Sequence, residues 1–577
     1  NIRGGYFVPV LLHYRSSHSD EGIPRIHDFS YVTYMVIYLD LTFNNYTNLP
    51  TLTEMKALES LNVSHNNINT AKLSNVYNLE SLIEIDFSFN KIDTINITHD
   101  EFVYRKLKKL WLSHNQLIDL PDAIFNNLSD LEFLDLSYNF INTLTLTAFV
   151  GLKELKVLKL SHNKIYELNY SLFCLNSLRE LYLDDNKIVS ILVHDFERLS
   201  NLKILDLRKN LIQGLDKNLF NNLTLVKEID LSDNLLTAID KATFSTTFNL
   251  QSINLSNNKL TEIPIRLFQA KNISFFSIEK NNLQGSLKRG TFDDFDELPL
   301  SKLEISNSNI QNIGKLHLSK LKKIQSLCLS KNNVKQLVVG EFSDMDEIVE
   351  IDVSYNKIDS IQPGVFKDNH MLDKLNVSHN ALLAINYGVL NGLVHLKVLD
   401  ISFNYIDSLE TERFYRVPAL EELIADHNRI TDVSIEDFLG TNIKKLSIGD
   451  NPLSCEVVTK LKMASDPSFI ITALRHIEEK EENIDGITCN YHHDEFFFNT
   501  KINEKQKSKD YNENTLIQIR DILLKKNIFK TLIRLELKTT ALKCCEFKRR
   551  GGYPKLVWGV PILIKLKLDL IRRTNFR

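Results

Sequence analysis

The chain has 577 residues, 43% hydrophobic and 25% charged, with a formal net charge of −4 and 6 cysteines. That hydrophobic share is typical of a folded protein and excludes a chain too polar to form a core. No apolar run reaches the roughly 18–20 residues that a membrane-spanning helix needs.

Residues 1–30 contain neither Cys nor the pattern that follows, so they read as an irregular N-terminal segment or a truncated cap. The chain begins at Asn1 and lacks the basic, apolar, small-residue order of a secretory signal, so the expectation is that a leader is missing or has been processed. From about 31 to 452 one pattern recurs, L-x-x-L-x-L-x-x-N-x-L, as at Leu131–Leu134–Leu136–Asn139–Ile141. The closing Asn falls at 44, 66, 90, 115, 139, 163, 186, 210, 234, 258, 281, 332, 356, 380, 404, 428 and 451, with Ser308 in the remaining slot and most gaps 24 residues. Such a period predicts a solenoid of about 18 coils, each burying its apolar face against its neighbours.

Within each copy the L-x-L stretch predicts a short strand, leucines inward and x residues outward. The Asn sits at the turn, where its side chain can satisfy unpaired backbone groups. Ten residues after most Asn comes a Phe: Phe125, Phe149, Phe173, Phe196, Phe220, Phe244, Phe268, Phe342, Phe366, Phe414 and Phe438, with Leu390 in that place after Asn380. These predict an apolar spine opposite the strands. At roughly 4.8 Å per strand the sheet extends on the order of 80 Å, and its outward residues can vary without harming the core.

One register slip occurs. The gap from Asn281 to Ser308 is 27 residues and contains Gly285, Gly290 and the acidic Asp293-Asp294-Phe295-Asp296-Glu297. Either a docking loop or a neutral insertion satisfies it, since loops absorb extra residues at little cost.

The residue before each Asn marks a second pattern. Phe43, His65, Phe89, His114, Tyr138 and His162 form one aromatic and His block, and Tyr355, His379, Phe403 and His427 form another, with charged and amide residues between. Aromatic surfaces anchor binding, so these blocks are the candidate ligand-binding stripes. The alternative is that Ser-[His/Tyr/Phe]-Asn is the repeat's own spelling. Asp40, Asp86, Asp135, Asp206, Asp230, Asp352 and Asp400 form a further stripe, which reads either as a site for a cation or basic ligand or as solvated strand residues.

Residues 453–490 read as a C-terminal cap. Cys455 and Cys489 flank an amphipathic stretch, Val457 to Met463, and a disulfide between them would clip it over the last coil. It would add roughly 3–4 kcal/mol in the chain-entropy model; the alternative is two free thiols. Cys328 occupies an outward strand position and suggests an inter-chain bond, Cys174 reads as buried beside the Phe spine, and Cys544-Cys545 could link two chains. Beyond 491 the repeat stops. From Asn499 to Arg577 there are 20 Lys+Arg against 7 Asp+Glu, which leaves an acidic remainder. This basic tail, with a linker and a helix expected over Thr515–Leu537, could touch an anionic membrane.

Nine N-x-S/T sequons lie in the repeats and none in the tail: Asn45, Asn62, Asn96, Asn127, Asn169, Asn222, Asn254, Asn272 and Asn376. That distribution predicts an extracellular, glycosylated solenoid. No G-x-S-x-G, H-E-x-x-H, phosphate-cradling G-x-x-x-x-G-K or C-x-x-C occurs, so an enzyme is not expected, nor a cofactor or metal. His492-His493-Asp494-Glu495 lacks a second ligating segment.

The 24-residue repeat with L-x-L-S-x-N, the Phe spine and the N-P-L-x-C cap resemble the extracellular leucine-rich-repeat family of the typical kind, including insect chaoptin, the Toll ectodomains and secreted leucine-rich-repeat immune proteins. The resemblance covers about 31–490. It implies an α/β solenoid, a horseshoe with a parallel concave sheet and a disulfide-clipped cap. The cap departs from the family's C-x-C pair and four cysteines, because Glu456 follows Cys455. The expected function is non-enzymatic recognition of a protein, cell-surface or microbial ligand on the concave face, in innate immunity or adhesion. Dimerisation through that face or the tail is possible, and no nucleic acid is expected. The alternatives are an intracellular interaction scaffold and the truncated ectodomain of a membrane receptor.

Overall fold

A computed structural model describes residues 10–13, 36–50, 52, 55–76, 79–97, 106–263, 272–283, 292, 299–438, 440–464, 469–474 and 483–489. The chain divides into two units, Asn1–Tyr491 and His492–Arg577, and all described residues belong to the first. The tail helix, Cys544-Cys545, the 492–495 cluster, Phe268 and the acidic 293–297 run lie outside the described residues.

The first unit is built on a sheet of 20 strands. Val10–His13 and Ile470–Thr472 flank it, and the rest come one per repeat. The repeat strands are short because the pattern supplies only the x-L-x alternation before the Asn turn. Phe133–Asp135 is typical: it pairs in parallel with Val157–Lys159, Leu134 against Leu158. Leu134 and Leu136 are fully buried, while Phe133 is half-exposed on the opposite face. Val10–His13 pairs in parallel with Val36–Asp40, so the sheet reaches into the 1–30 stretch that shows no repeat pattern.

The Asn side chains hold the coils in register. The Asn163 amide donates to the carbonyls of Leu136 and Leu160 at 3.0 Å and of Ser161 at 3.2 Å, and its oxygen accepts from the Ile141 N–H at 3.0 Å. One side chain thus satisfies buried backbone groups of two coils, which would otherwise cost about 1–3 kcal/mol each. Ser308 does part of the same work. Its hydroxyl lies 3.0 Å from the Ile278 and Ser306 carbonyls. The acceptor it lacks is replaced by its own carbonyl, which takes the Leu283 N–H at 3.0 Å. The register slip is absorbed without an orphaned group at this position.

Opposite the sheet, the Phe side chains stack: Phe125 on Phe149 at 6.4 Å, Phe220 on Phe244 at 5.1 Å and Phe342 on Phe366 at 5.5 Å between ring centres. Leu390 is buried in its expected slot. Phe173 is not in the spine. The repeat ending at Asn186 is one residue short, so Leu172 fills the buried place, and the Phe173 ring packs on Tyr170 at 5.4 Å. Cys174 is half-buried beside it, its thiol donating to the Phe149 carbonyl at 3.2 Å.

Outside the main sheet the coils are built of turns, short 3-10 segments such as Val193–Asp195 and Thr411–Arg416, and short strand pairs, Thr70–Lys72 with Thr94–Asn96 and Gln336–Leu337 with Ser360–Ile361. Among the described residues the α component of the solenoid is a single helix, α1, Cys455–Ala464. α1 buries Val458 and Leu461 over the last coil. A disulfide joins Cys455 to Cys489 across 34 residues, and Ile470–Thr472 adds to the sheet beside Lys445–Ser447. The cap thereby covers an edge that would otherwise expose both core and ladder.

Candidate ligand-binding face

Each residue before a ladder Asn adopts a left-handed backbone conformation. The φ values run from +55° at Phe43 to +51° at His427. The turn demands it: the N–H at this position must still reach the neighbouring coil, as His65 does to the Ser88 carbonyl at 3.1 Å and His379 to Ser402 at 2.9 Å. Such a conformation is uncommon for non-glycine residues, with Asn, Asp and His favoured.

Consequently the side chains at this position stand one above another. In the first block the rings stack continuously: Phe43 on His65 at 4.4 Å, His65 on Phe89 at 4.3 Å, Phe89 on His114 at 4.0 Å, His114 on Tyr138 at 4.1 Å and Tyr138 on His162 at 4.0 Å. In the second, Tyr355, His379, Phe403 and His427 follow at 3.7, 3.9 and 3.9 Å. Carbocyclic rings and imidazoles alternate in both. Because neighbouring faces cover each other, a ligand meets the ring edges, which carry positive C–H and imidazole N–H character.

Both ladders end on a carboxylate. His162 Nδ1 lies 3.0 Å from Asp185 Oδ2, and His427 Nε2 lies 2.9 Å from Asp450 Oδ2. The second also begins on a cation, with Lys331 Nζ 5.4 Å from the Tyr355 ring centre. Burial in the stack holds the His114 imidazole below its ordinary pKa; Asp135 opposes this and His162 and His65 add to it. His379 is lowered in the same way, by burial first, with Asp400 opposing and His427 adding. Beside the second ladder, Tyr405 completes a groove of about 460 Å³ with Tyr355, His379, Phe403 and His427. The Arg429 guanidinium lies 4.5 Å from the Tyr405 ring centre.

Sequence reasoning missed a second group. Trp111, Phe133 and Tyr182 occupy outward strand positions, and in-register pairing places them together across the sheet. Trp111 and Phe133 pack at 5.2 Å, and Lys159 Nζ lies between Phe133 and Tyr182, 5.4 and 5.8 Å from their ring centres. Lys109 reaches over Trp111 at 5.9 Å. The usable signal was an aromatic at an x position beside the central strand leucine, after it for Trp111 and Tyr182 and before it for Phe133, where solvated polar residues are the rule. This patch shares its coils with His114, Tyr138 and His162, so both groups lie on one end of the solenoid.

The Asp stripe has a structural use. Asp86, Asp135, Asp230, Asp352 and Asp400 accept the backbone N–H two residues on, at 2.8, 2.9, 2.8, 2.8 and 2.9 Å. Asp40 and Asp206 do the same for Thr42 and Arg208. Burial pushes the Asp206 carboxyl up to about 6; its bond to the Arg208 N–H opposes this and Asp184 adds to it. Among the described residues no three His, Cys, Asp or Glu side chains are placed to share a metal ion. The sequon residues Asn62, Asn254 and Asn376 fill the same strand position, accepting from Ser64, Ser256 and Ser378 at 3.0 Å each. Asn45, Asn169, Asn222 and Asn272 are exposed, while Asn96 and Asn127 are half-buried. Cys328 does stand on the outward face, but it is half-buried. Ser306 and Ser330 Oγ lie 3.0 and 3.5 Å from its sulfur, and burial pushes the thiol up.

A family model described as leucine rich repeat matches residues 105–165, 176–236, 224–283, 299–358, 346–404, 371–430 and 394–453, together more than half of the chain. A stretch of 122 residues, 20% of this chain, is 30% identical to the S-cell enriched with leucine-rich repeat-containing protein slrA of Dictyostelium discoideum. It covers 9% of that protein, and the chain spans less than a tenth of the curated relatives it matches. Among solved structures, the LRR protein LIC12759 of Leptospira interrogans is 22% identical with a TM-score of 0.57, over 78% of this chain and 99% of that one. A chain of the glycosylated Toll–Spatzle complex of Drosophila is 22% identical with a TM-score of 0.56, over 79% and 58%. At these identities the likeness is one of fold. With its repeats matched across coils that the structure joins in one parallel sheet, the chain belongs to the leucine-rich-repeat family.

Proposed function

We propose that this protein is an extracellular, non-enzymatic recognition protein. It binds a protein or surface ligand on the concave sheet face, in innate immunity or cell adhesion. One observation carries the reading. Ten rings fill ladder positions that Asp, Lys and Asn hold in the middle coils at the same φ, so the fold does not require aromatics there. Rings that the fold does not need, beside a half-exposed Trp-Phe-Tyr-Lys patch, match the residue types that dominate protein interfaces. The recognition is by shape and charge, with no covalent step. The extracellular setting draws on the sequons and on the disulfide, a bond that persists in oxidising compartments.

Two measurements test it. N-glycosidase treatment of the native protein should lower its mass; an unchanged mass would favour the intracellular scaffold. Partners captured from native extracellular fluid should be lost when Trp111, Phe133 and Tyr182 are all replaced by Ser. Retention of every partner by that variant and by the Tyr355→Ser, His379→Ser, Phe403→Ser, His427→Ser variant would sink the sheet-face assignment.

A further inference from the structure

Next to the coil where the second ladder begins, coils following the register slip line an open cleft of about 670 Å³, within the range of small-ligand sites. Its walls are ammonium and carboxamide groups. Lys315 comes from the 3-10 turn Ile313–Lys315, Gln336 from the short strand Gln336–Leu337, Lys335 from the residue before it, and Lys357 from the turn after Asn356. Gln311 lines the same cleft. Glu341 is its one carboxylate among the described residues, and both oxygens are engaged. One accepts from the Val338 N–H at 2.8 Å and the other from the Gly314 N–H at 3.2 Å. None of the three ammonium groups has a carboxylate partner among the described residues.

We propose that this cleft binds an anionic oligosaccharide, its acidic groups on Lys315, Lys335 and Lys357 and its hydroxyls on Gln311 and Gln336. Three cations lining one cleft disfavour a metal ion there. Val338 is the single apolar side chain among the lining residues, too little for a hydrophobic ligand or the anchor side chains of a peptide. Hydroxyls alternating with acidic groups satisfy amide and ammonium donors together. The site is independent of the ligand assigned to the sheet face.

The test uses the full chain and a heparin-derived hexasaccharide. Acetylation of Lys315, Lys335 and Lys357, read by mass spectrometry, should be suppressed by the sugar, while the exposed Lys153 and Lys217 are unaffected. The K315Q/K335Q/K357Q variant should bind at least about 30-fold more weakly. A K153Q/K217Q/K241Q variant, with the same charge removed and the basic tail intact, should bind as the parent does. A desulfated but uronate-bearing hexasaccharide separates the acids: protection kept assigns the carboxylates, and protection lost assigns the sulfates. The proposal is overturned by absent protection, by equal losses in the two triple variants, or by equal protection from maltohexaose or a single-stranded hexanucleotide.

Discussion

Ladder positions 43 to 162 and 355 to 427 carry rings, whereas 185 to 331 carry Asp, Lys and Asn, yet the backbone is the same throughout. Tyr138 has φ +54°, Lys209 +52° and Asp233 +54°. The N–H of each still reaches the next coil: Tyr138 to Ser161 at 2.9 Å, Lys209 to Ser232 at 3.0 Å and Asp233 to Ser256 at 2.9 Å. What fixes the conformation is the turn's hydrogen bonding to the next coil, made by the adjacent Asn or, after Asn307, by Ser308, not the residue that adopts it. The middle coils hold themselves with polar pairs, such as Lys209 with Asp185 at 3.4 Å, where the ends use ring stacks. An exposed pair of this kind contributes little, so the rings at the ends are surplus to the turn and available to a ligand.

The largest test of that equivalence is removal of the Asn itself. Asn163→Ala in the ringed region and Asn234→Ala in the polar region should each cost about 4 kcal/mol, from several buried backbone groups left unpaired. The denaturation midpoints should fall by similar amounts. A much larger fall at Asn163 would mean that the stacked rings help hold the turn. Next, Cys455→Ser with Cys489→Ser should cost roughly 3–4 kcal/mol. Because the cap holds the Asp450 N–H through Thr488 Oγ1 at 2.7 Å, and Asp450 pairs with His427, the loss should fall on the second ladder. Faster amide exchange at Phe403 and His427 with none at Phe89 and His114 is the expected pattern.

Binding separates the regions more sharply than stability does. Trp111→Ser should weaken capture of a protein partner by about 2 kcal/mol, or roughly 30-fold. Lys209→Ser and Lys280→Ser should change it less than about threefold. Tyr138→Asp, which imports the middle region's chemistry into the first ladder, should leave the melting temperature within a few degrees while lowering affinity.

The smallest effect is in pH dependence, and the two regions should respond in opposite directions. His114 and His379 have lowered pKa values in the folded state, so the unfolded chain binds more protons. Their contribution to stability is present above the ordinary His pKa and declines as pH falls below it. Asp206 is raised to about 6, so the folded state holds the extra proton between its ordinary value and 6. In that window its contribution falls as pH rises. His114→Phe should flatten the first slope and Asp206→Asn the second, as read from denaturation midpoints between pH 4 and 7.

The strands, the Asn ladder, most of the Phe spine and the cap disulfide were legible in the sequence because each depends on local spacing repeated many times. The ladder residues were legible as a row for the same reason. The face formed by Trp111, Phe133, Lys159 and Tyr182 was not. These residues sit in four different coils, and only the parallel register brings their x positions side by side. Phe173 shows the limit of counting: one missing residue moved Leu172 into the core, because packing selects whichever apolar side chain the shortened turn points inward.

By itself, then, the chain's periodicity determined a solenoid, since a 24-residue unit cannot bury its own apolar face. Tertiary structure alone decided that the rings would stack face to face and offer their edges. It also decided that Ser308 would borrow its own carbonyl to complete the ladder, and that three lysines from successive coils would meet in one cleft. These outcomes depend on contacts between residues a full repeat apart, where register and coil geometry, not local pattern, set which groups meet.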